Sequence, residues 1–312
     1  MKIYVTPTFI CSLLFTSISY AGAPDQTFFV MHPDNANMTE FDTEGMSLVQ
    51  RYYPPRNRRR KPNIVMVAGH SLDSRLYTQT PDGRESFAEL VAAQGYNVYV
   101  MDTPFYELSG IDPSRTNTNQ ANLSSVWKKW GFGNTYPTRW PDSQYPSETE
   151  ALRNAIQASF PEYFGAGGNY NSIATANNLE VLIDDLGSAT LMFHSAAGVA
   201  TFELIDRETV TFDALIAYEP LQCPGNNANY PNMETVPFIA IYGDYISQRR
   251  QTGRYDACLA TVNKVLSVGG NAEFVDLPEM GITGNSHLYV QAYNNSQIAD
   301  IMVNALEYYG ID

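Results

Sequence analysis

Histidine and cysteine are scarce in this sequence, which contains four histidines and three cysteines among 312 residues. None of them lie in a cluster with the spacing of metal ligands, so we expect no bound metal ion. No motif implies an organic cofactor either. A reaction that needs an imidazole base must therefore use one of only four side chains.

Long apolar runs and an excess of positive charge are also missing. Beyond the N-terminal segment, no stretch is apolar over the length needed to cross a bilayer. Acidic residues outnumber basic ones by 33 to 19, for a formal net charge of -14, which disfavours nucleic acid and anionic membranes as partners. The one basic run, at 54–62, contains prolines at both ends and is typical of a solvated turn.

Residues 1–21 have the pattern of a cleavable signal peptide. Lys2 supplies a basic start, 9–18 is apolar but too short for a membrane anchor, and Ala21 offers a small residue for cleavage, with Ala23 as an alternative. The sequence therefore predicts a secreted or periplasmic protein.

Removal of that segment, which contains Cys11, leaves Cys223 and Cys258. In an oxidising compartment a lone pair of cysteines is most simply a disulfide, and the alternative is two separate buried thiols.

The remaining chain, 22–312, is long enough for one α/β domain with a large core. Short apolar runs alternate with amphipathic stretches, and this alternation predicts a mostly parallel sheet covered by helices on both faces. We predict two antiparallel edge strands at 27–32 and 46–53. The other predicted strands are 63–68, 97–101, 190–193, 214–217, 237–242 and 272–276, and the predicted helices are 85–93, 172–185, 196–206, 255–268 and 290–308.

One segment, 103–170, interrupts this alternation and is predicted to be an inserted lid or cap with a helix at 147–159. It follows the strand at 97–101, at the edge of the sheet where open α/β sheets bind ligands. Its aromatic side chains either line a substrate pocket or pack the insertion onto the body. They are Trp127, Trp130, Phe132, Tyr136, Trp140, Phe160, Tyr163 and Phe164.

Ser195 lies between a predicted buried strand and a predicted helix, as a nucleophilic serine does on a sharp strand-to-helix turn. Such turns usually read G-x-S-x-G because they leave little room for side chains. Here Phe193 and Ala197 occupy the glycine positions, and glycine appears only at Gly198. A buried strand, turn and helix with a chance serine is the alternative interpretation.

The partners of Ser195 follow from the order of residues along the chain. His287 lies in a loop between the last strand and the last helix, which gives the order serine, acid, histidine. Two acids follow intervening strands, Glu219 and Asp244, and the spacing alone leaves both open. The N–H of Ala196, directly after the serine, is expected to stabilise an oxyanion.

Several motifs together resemble a small group of secreted bacterial α/β-hydrolase esterases. They are Ala-Gly-His-Ser at 68–71, Thr-Pro-Asp-Gly-Arg at 80–84, Asn-Val-Tyr-Val-Met-Asp-Thr-Pro at 97–104, His-Ser-Ala-Ala-Gly at 194–198, Ala-Tyr-Glu-Pro at 217–220 and Gly-Asp-Tyr-Ile at 243–246. The resemblance covers nearly the whole mature chain and implies an α/β-hydrolase fold. It also implies that Glu219 is the triad acid and that His70 supplies the second oxyanion N–H.

The resulting hypothesis is a serine esterase that hydrolyses a small or medium ester through an acyl-enzyme. Phe193 favours one alternative, a non-catalytic binding protein with the same fold. Lactone or amide hydrolysis by the same triad is a further alternative. An Asp82–Arg84 salt bridge is expected either at the mouth of the site or in a surface turn. The sequence does not decide between a monomer and a homodimer.

Overall fold

The computed structural model describes residues 22–36, 45–70, 72–105, 109, 123–146, 172–227 and 231–312. The predicted signal peptide lies outside these residues. So does the predicted helix at 147–159, together with Phe160, Tyr163 and Phe164 of the insertion.

Eight strands form one sheet in the order β1-β2-β4-β3-β5-β6-β7-β8. β1 pairs antiparallel with β2, β2 pairs antiparallel with β4, and all the other pairs are parallel. The strands are β1 Gln26–Val30, β2 Ser47–Tyr52, β3 Asn63–Val67, β4 Asn97–Met101, β5 Ala189–His194, β6 Phe212–Tyr218, β7 Phe238–Tyr242 and β8 Ala272–Asp276.

The mostly parallel sheet with an antiparallel start is confirmed, but the prediction of two edge strands is wrong for the second of them. β1 lies at one edge of the sheet and β8 at the other, whereas β2 lies between β1 and β4. Pairing with a strand 50 residues later along the chain is not visible in local sequence patterns.

Helices cover both faces of the sheet. The α-helices of the described residues are α1 Pro33–Ala36, α2 Arg75–Thr78, α3 Phe87–Ala93, α4 Leu123–Lys129, α5 Ser172–Leu186, α6 Ala197–Arg207, α7 Pro231–Thr235, α8 Thr252–Ser267 and α9 Asn295–Tyr308. The predicted terminal helix at 290–308 therefore begins later than expected, because a separate 3-10 turn, Tyr289–Gln291, precedes α9.

Alternate residues of the central strands point into two separate cores. Ile64 and Met66 of β3 pack with α3 and α9 on one face. Val65 and Val67 of the same strand pack with α5, α6 and α8 on the other. This period of two explains why the central strands appear as continuous apolar runs, since both faces are buried.

The parallel strands end along a single edge of the sheet. His70, Ser195, Glu219 and Asp244 each follow the carboxyl end of a different strand, β3, β5, β6 and β7 respectively. Because neighbouring parallel strands end side by side, residues far apart in sequence meet at this edge.

Two further features concern the periphery of the molecule. The basic turn that follows β2 is solvent-exposed from Arg56 to Arg60, in agreement with the interpretation as a solvated turn. In the described part of the chain, no helix combines the length and apolarity that a membrane crossing requires.

The predicted disulfide between Cys223 and Cys258 is present and ties the segment after β6 to α8. Both residues are buried. The bridge closes a loop with a sequence separation of 35 residues. It stabilises the fold because it lowers the conformational entropy of the unfolded chain.

Replacing both cysteines, Cys223→Ser with Cys258→Ser, is expected to lower the free energy of unfolding by about 3–4 kcal/mol, the loop-closure value for this separation. Urea denaturation followed by circular dichroism measures the change. Wild type in a thiol reductant should shift in the same direction, while the double variant should not respond to the reductant. An unchanged midpoint in the double variant would contradict a stabilising role for the bridge.

Candidate active site

Ser195 occupies a strained turn between β5 and α6. Its backbone φ is +52°, in the left-handed region that non-glycine residues rarely adopt. The turn is fixed on both sides: the N–H of Ser195 donates to the carbonyl of Tyr218 at 3.2 Å, and its carbonyl accepts from the N–H of Leu221 at 2.7 Å. The bend therefore has the geometry of a nucleophile elbow.

Phe193 does not crowd this turn. Its ring is fully buried in the core and packs edge to face on Phe202, with 5.7 Å between ring centroids. Gly198 is needed for a different contact, because a Cβ there would lie 2.9 Å from Cβ of Pro220, whereas its distance of 3.7 Å from the Phe193 ring would be ordinary packing. The departure from the usual pattern is thus absorbed by packing below the elbow.

A second glycine, at position 69, allows the turn after β3 to touch the elbow. A Cβ on Gly69 would lie 2.6 Å from Cβ of Ser195 and 2.8 Å from the backbone nitrogen of Ala196. No side chain fits at this distance, so only glycine permits the contact. The contact brings His70 next to the serine, and both residues line the same cavity.

Glu219 and His287 form a buried hydrogen-bonded pair. Nδ1 of His287 lies 2.6 Å from Oε2 of Glu219. A carboxylate only accepts hydrogen bonds, so Nδ1 carries the proton and Nε2 is left with its lone pair. The other carboxylate oxygen, Oε1, accepts from the backbone N–H of Gly243 at 2.9 Å.

Arg249 completes the surroundings of this carboxylate, although no motif in the sequence points to it. Its Nη1 donates to Oε1 of Glu219 at 3.2 Å, and its Nη2 donates to Oε2. Both side chains are almost wholly buried. With the bonds from Gly243 and His287, the carboxylate accepts four hydrogen bonds, which fills its capacity.

These contacts determine the ionisation of the pair. Burial opposes the charge of Glu219, but the Arg249 guanidinium and the His287 imidazole outweigh it and hold the pKa of Glu219 well below its ordinary value. Burial lowers the pKa of His287, although its bond to Glu219 acts in the opposite direction. The imidazole is therefore neutral at neutral pH, in the state that accepts a proton.

The loop that carries His287 is fixed by its backbone. The N–H of His287 donates to the carbonyl of Trp130 at 2.8 Å, and its carbonyl lies 3.0 Å from Nε2 of His194. Burial holds the pKa of His194 well below its ordinary value. His194 thus supports the position of His287 from below instead of facing the cavity.

Asp244, the alternative acid, is used elsewhere. Its Oδ2 accepts from the backbone N–H groups of Gly284 and Asn285. Among the described residues, no contact joins its carboxylate to the imidazole of His287. Asp244 instead holds the start of the loop that carries His287.

The described part of the insertion both lines the site and packs on the body. Trp130 lines the cavity, whereas Trp127 and Phe132 are buried in the core. Gln144 also helps to hold the loop that carries His287, since its N–H donates to the carbonyl of Gly284 at 2.8 Å. Tyr136 is largely exposed and Trp140 stacks on Tyr245.

The Asp82–Arg84 salt bridge is present, but its arginine reaches toward the segment after His287. Arg84 donates to the carbonyls of Gln291 and Ala292 and to the side chain of Asn295, at 3.0–3.1 Å. Neither Asp82 nor Arg84 lines the cavity. The bridge therefore anchors the start of α9 rather than the mouth of the site.

Ser195, His287, His70 and Ala196 line one cavity of about 420 Å³. Within the described residues, no hydrogen bond joins Ser195 to His287. Catalytic hydrogen bonds of this kind commonly tighten only when a substrate is bound. No group of His, Cys, Asp and Glu side chains in the described segments has an arrangement that would hold a metal ion.

Comparison with known proteins is consistent with this architecture. No protein-family profile matches the chain. A bacterial esterase of known structure superposes with a TM-score of 0.77 at 25% sequence identity, over 98% of this chain and 99% of that one. A curated relative, "Probable secreted lipase phiG" from Fungal sp. (strain ATCC 74256), is 21% identical over 352 residues, covering 92% of this chain and 91% of the relative. The sheet order and the superposition establish the α/β-hydrolase fold, which confirms the fold class expected from the sequence.

Removing the cation beside Glu219, by Arg249→Met, is expected to destabilise the protein by about 3–5 kcal/mol at pH 7, because an uncompensated carboxylate stays buried. Because the pKa of Glu219 is lowered by folding, its ionisation stabilises the wild type at pH values above 4.5, the ordinary pKa of a glutamate. That contribution is lost only as the pH falls through the lower folded pKa. In the variant Glu219 takes up a proton more readily, so the difference in unfolding free energy should shrink as the pH falls from 7 toward 4.

Urea denaturation across this pH range measures the difference between the two proteins. The matched control is Arg250→Met, at the exposed neighbour of Arg249, which should change the stability little at any pH. A difference that is independent of pH would show that Arg249 acts through packing alone.

Proposed function

We propose that the protein is a serine carboxylic-ester hydrolase that acts through an acyl-enzyme. The observation that carries this proposal is the buried Glu219–His287 pair, which shares one cavity with a serine on a strained turn. The similarity to a bacterial esterase and to a secreted lipase supports the same class of reaction.

In the proposed mechanism, Nε2 of His287 accepts the proton of the Ser195 hydroxyl as Oγ attacks the ester carbonyl carbon. The imidazolium then protonates the leaving alcohol oxygen, and the bond from that oxygen to the carbonyl carbon breaks. A water molecule, deprotonated by His287, attacks the acyl-enzyme, and the acid product leaves as Ser195 regains its proton. Glu219 keeps the imidazole in the required tautomer and stabilises its charged form.

We assign the stabilisation of the negative charge that develops on the carbonyl oxygen to the backbone N–H groups of Ala196 and His70. Ala196 directly follows the serine at the N-terminal end of α6. The close approach that Gly69 permits supports the assignment of His70, because it holds the turn after β3 against Ser195.

We assign Glu219 as the triad acid and Asp244 as a support for the histidine loop. The 2.6 Å contact with Nδ1 of His287 supports the first assignment. The bonds from Gly284 and Asn285 to the Asp244 carboxylate support the second.

The substrate is assigned as a small or medium ester, in keeping with a cavity of about 420 Å³. Phe193 is the one feature of the sequence that favours a non-catalytic binding protein, and its ring packs in the core. Hydrolysis of a lactone or an amide would use the same three side chains. Export is also proposed, with support from the disulfide and from the description of the lipase relative as secreted.

The triad is tested by hydrolysis of short p-nitrophenyl esters, alongside one lactone and one anilide. Ser195→Ala and Glu219→Gln are expected to lower kcat by about 10⁴-fold, because one loses the nucleophile and the other the charge that orients His287. The matched control is Asp244→Asn, the same change on the other acid, which should stay within about tenfold of wild type. If Asp244→Asn lowered kcat more than Glu219→Gln, the assignment of the triad acid would be wrong. If the wild type hydrolysed none of these compounds, the proposal that the protein is an enzyme would be wrong.

A further inference from the structure

The wall of the cavity carries a charge opposite to that of the whole chain. Three basic side chains line it, Lys129, Arg249 and Arg254, whereas none of the described lining residues is Asp or Glu. This excess of positive charge occurs in a protein with a formal net charge of -14. A ligand that enters the cavity therefore meets a local field that attracts anions.

Arg249 is neutralised by Glu219, but Arg254 has no such partner. Its guanidinium forms no ion pair or hydrogen bond with the described residues, although the side chain is partly buried. Its backbone is held in place, because the hydroxyl of Tyr242 donates to the Arg254 carbonyl at 3.2 Å. The arginine is thus a cation on a fixed backbone, with an unused planar set of donors.

The location of Arg254 is unfavourable for a cation. It lies in the first turn of the 16-residue helix α8, which has no acidic residue in that turn, and the partial positive charge of a helix N-terminus repels a basic side chain there. Burial and the nearby Arg249 lower the pKa of Arg254, and the Glu219 carboxylate offsets part of this effect. An anion against the guanidinium would reduce the repulsion from the helix N-terminus and from Arg249, and it would reduce the cost of burying the charge.

A second buried donor at the same wall has no acceptor. The Nε–H of Arg249 is buried without a hydrogen-bond partner among the described residues, and the residue is only 6% exposed. An unpaired buried N–H is costly, and it adds to the cost of holding cationic side chains at this wall.

We propose that this cavity selects esters that carry a carboxylate, with Arg254 binding the carboxylate while the ester carbonyl lies at Ser195. The inference rests on the proposed function and specifies its substrate class. The planar fork of an arginine matches the two oxygens of a carboxylate. The cavity volume of about 420 Å³ suits a small molecule with both groups.

Two pairs of esters test the selection, one for each side of the ester bond. The p-nitrophenyl monoester of adipic acid is compared with p-nitrophenyl hexanoate, and para-acetoxybenzoate is compared with para-acetoxybenzamide. In at least one pair, the wild type is expected to favour the anionic ester in kcat/KM by about tenfold or more, the usual effect of one charge-assisted contact.

Arg254→Gln should lower this anionic-to-neutral ratio by about tenfold, and Arg254→Lys should restore part of it, since it retains the charge without the fork. The matched control is Arg250→Gln, which removes the same charge from an exposed neighbour outside the cavity and should keep the wild-type ratio. A wild type that favours the neutral ester in both pairs, or a ratio that Arg254→Gln leaves unchanged, would overturn the proposal.

Calorimetric titration of the Ser195→Ala variant with monomethyl adipate separates this inference from the proposed function. Binding that is lost on adding Arg254→Gln supports the anion site even if no ester is hydrolysed by the wild type. If the wild type hydrolysed neutral esters but the variant did not bind monomethyl adipate, the proposed esterase activity would stand and the proposed selection for carboxylates would be wrong.

Discussion

A single buried carboxylate, that of Glu219, connects the parts of the proposed site. It accepts hydrogen bonds from the histidine loop through His287, from the turn after β7 through Gly243, and from the segment before α8 through Arg249. Burying this charge is tolerable only because all its acceptor positions are used and a cation lies beside it. The same contacts fix the tautomer of His287, so ionisation and geometry depend on one interaction.

The sheet makes this convergence possible. Ser195, Glu219 and Gly243 follow the ends of neighbouring parallel strands, which brings them to one edge without long connecting segments. The described part of the insertion supports the loop that carries His287, since the backbone of Trp130 holds His287 and that of Gln144 holds Gly284. The insertion therefore contributes to the position of His287 as well as to the wall of the cavity.

Local sequence patterns predict the central strands. They leave Glu219 and Asp244 both open as partners of His287, and only the resemblance to the esterase group implies the Glu219–His287 pair that the structure contains. β4 has the predicted bounds, because a strand buried on both faces is a short apolar run bounded by turn residues. Arg249 could not be found in this way. It is adjacent to Arg250 in a charged stretch, and only the tertiary fold buries the first while the second stays exposed. The close approach at Gly69 and the inner position of β2 likewise depend on contacts distant in sequence.

The proposed mechanism requires Ser195 to be a nucleophile, and covalent labelling tests this most directly. The protein would be incubated with a fluorophosphonate, digested, and analysed by mass spectrometry, with heat-denatured protein as the control. We predict one adduct, on Ser195, that forms only in the folded protein. Absence of labelling, or an adduct on a different serine, would contradict the proposed mechanism.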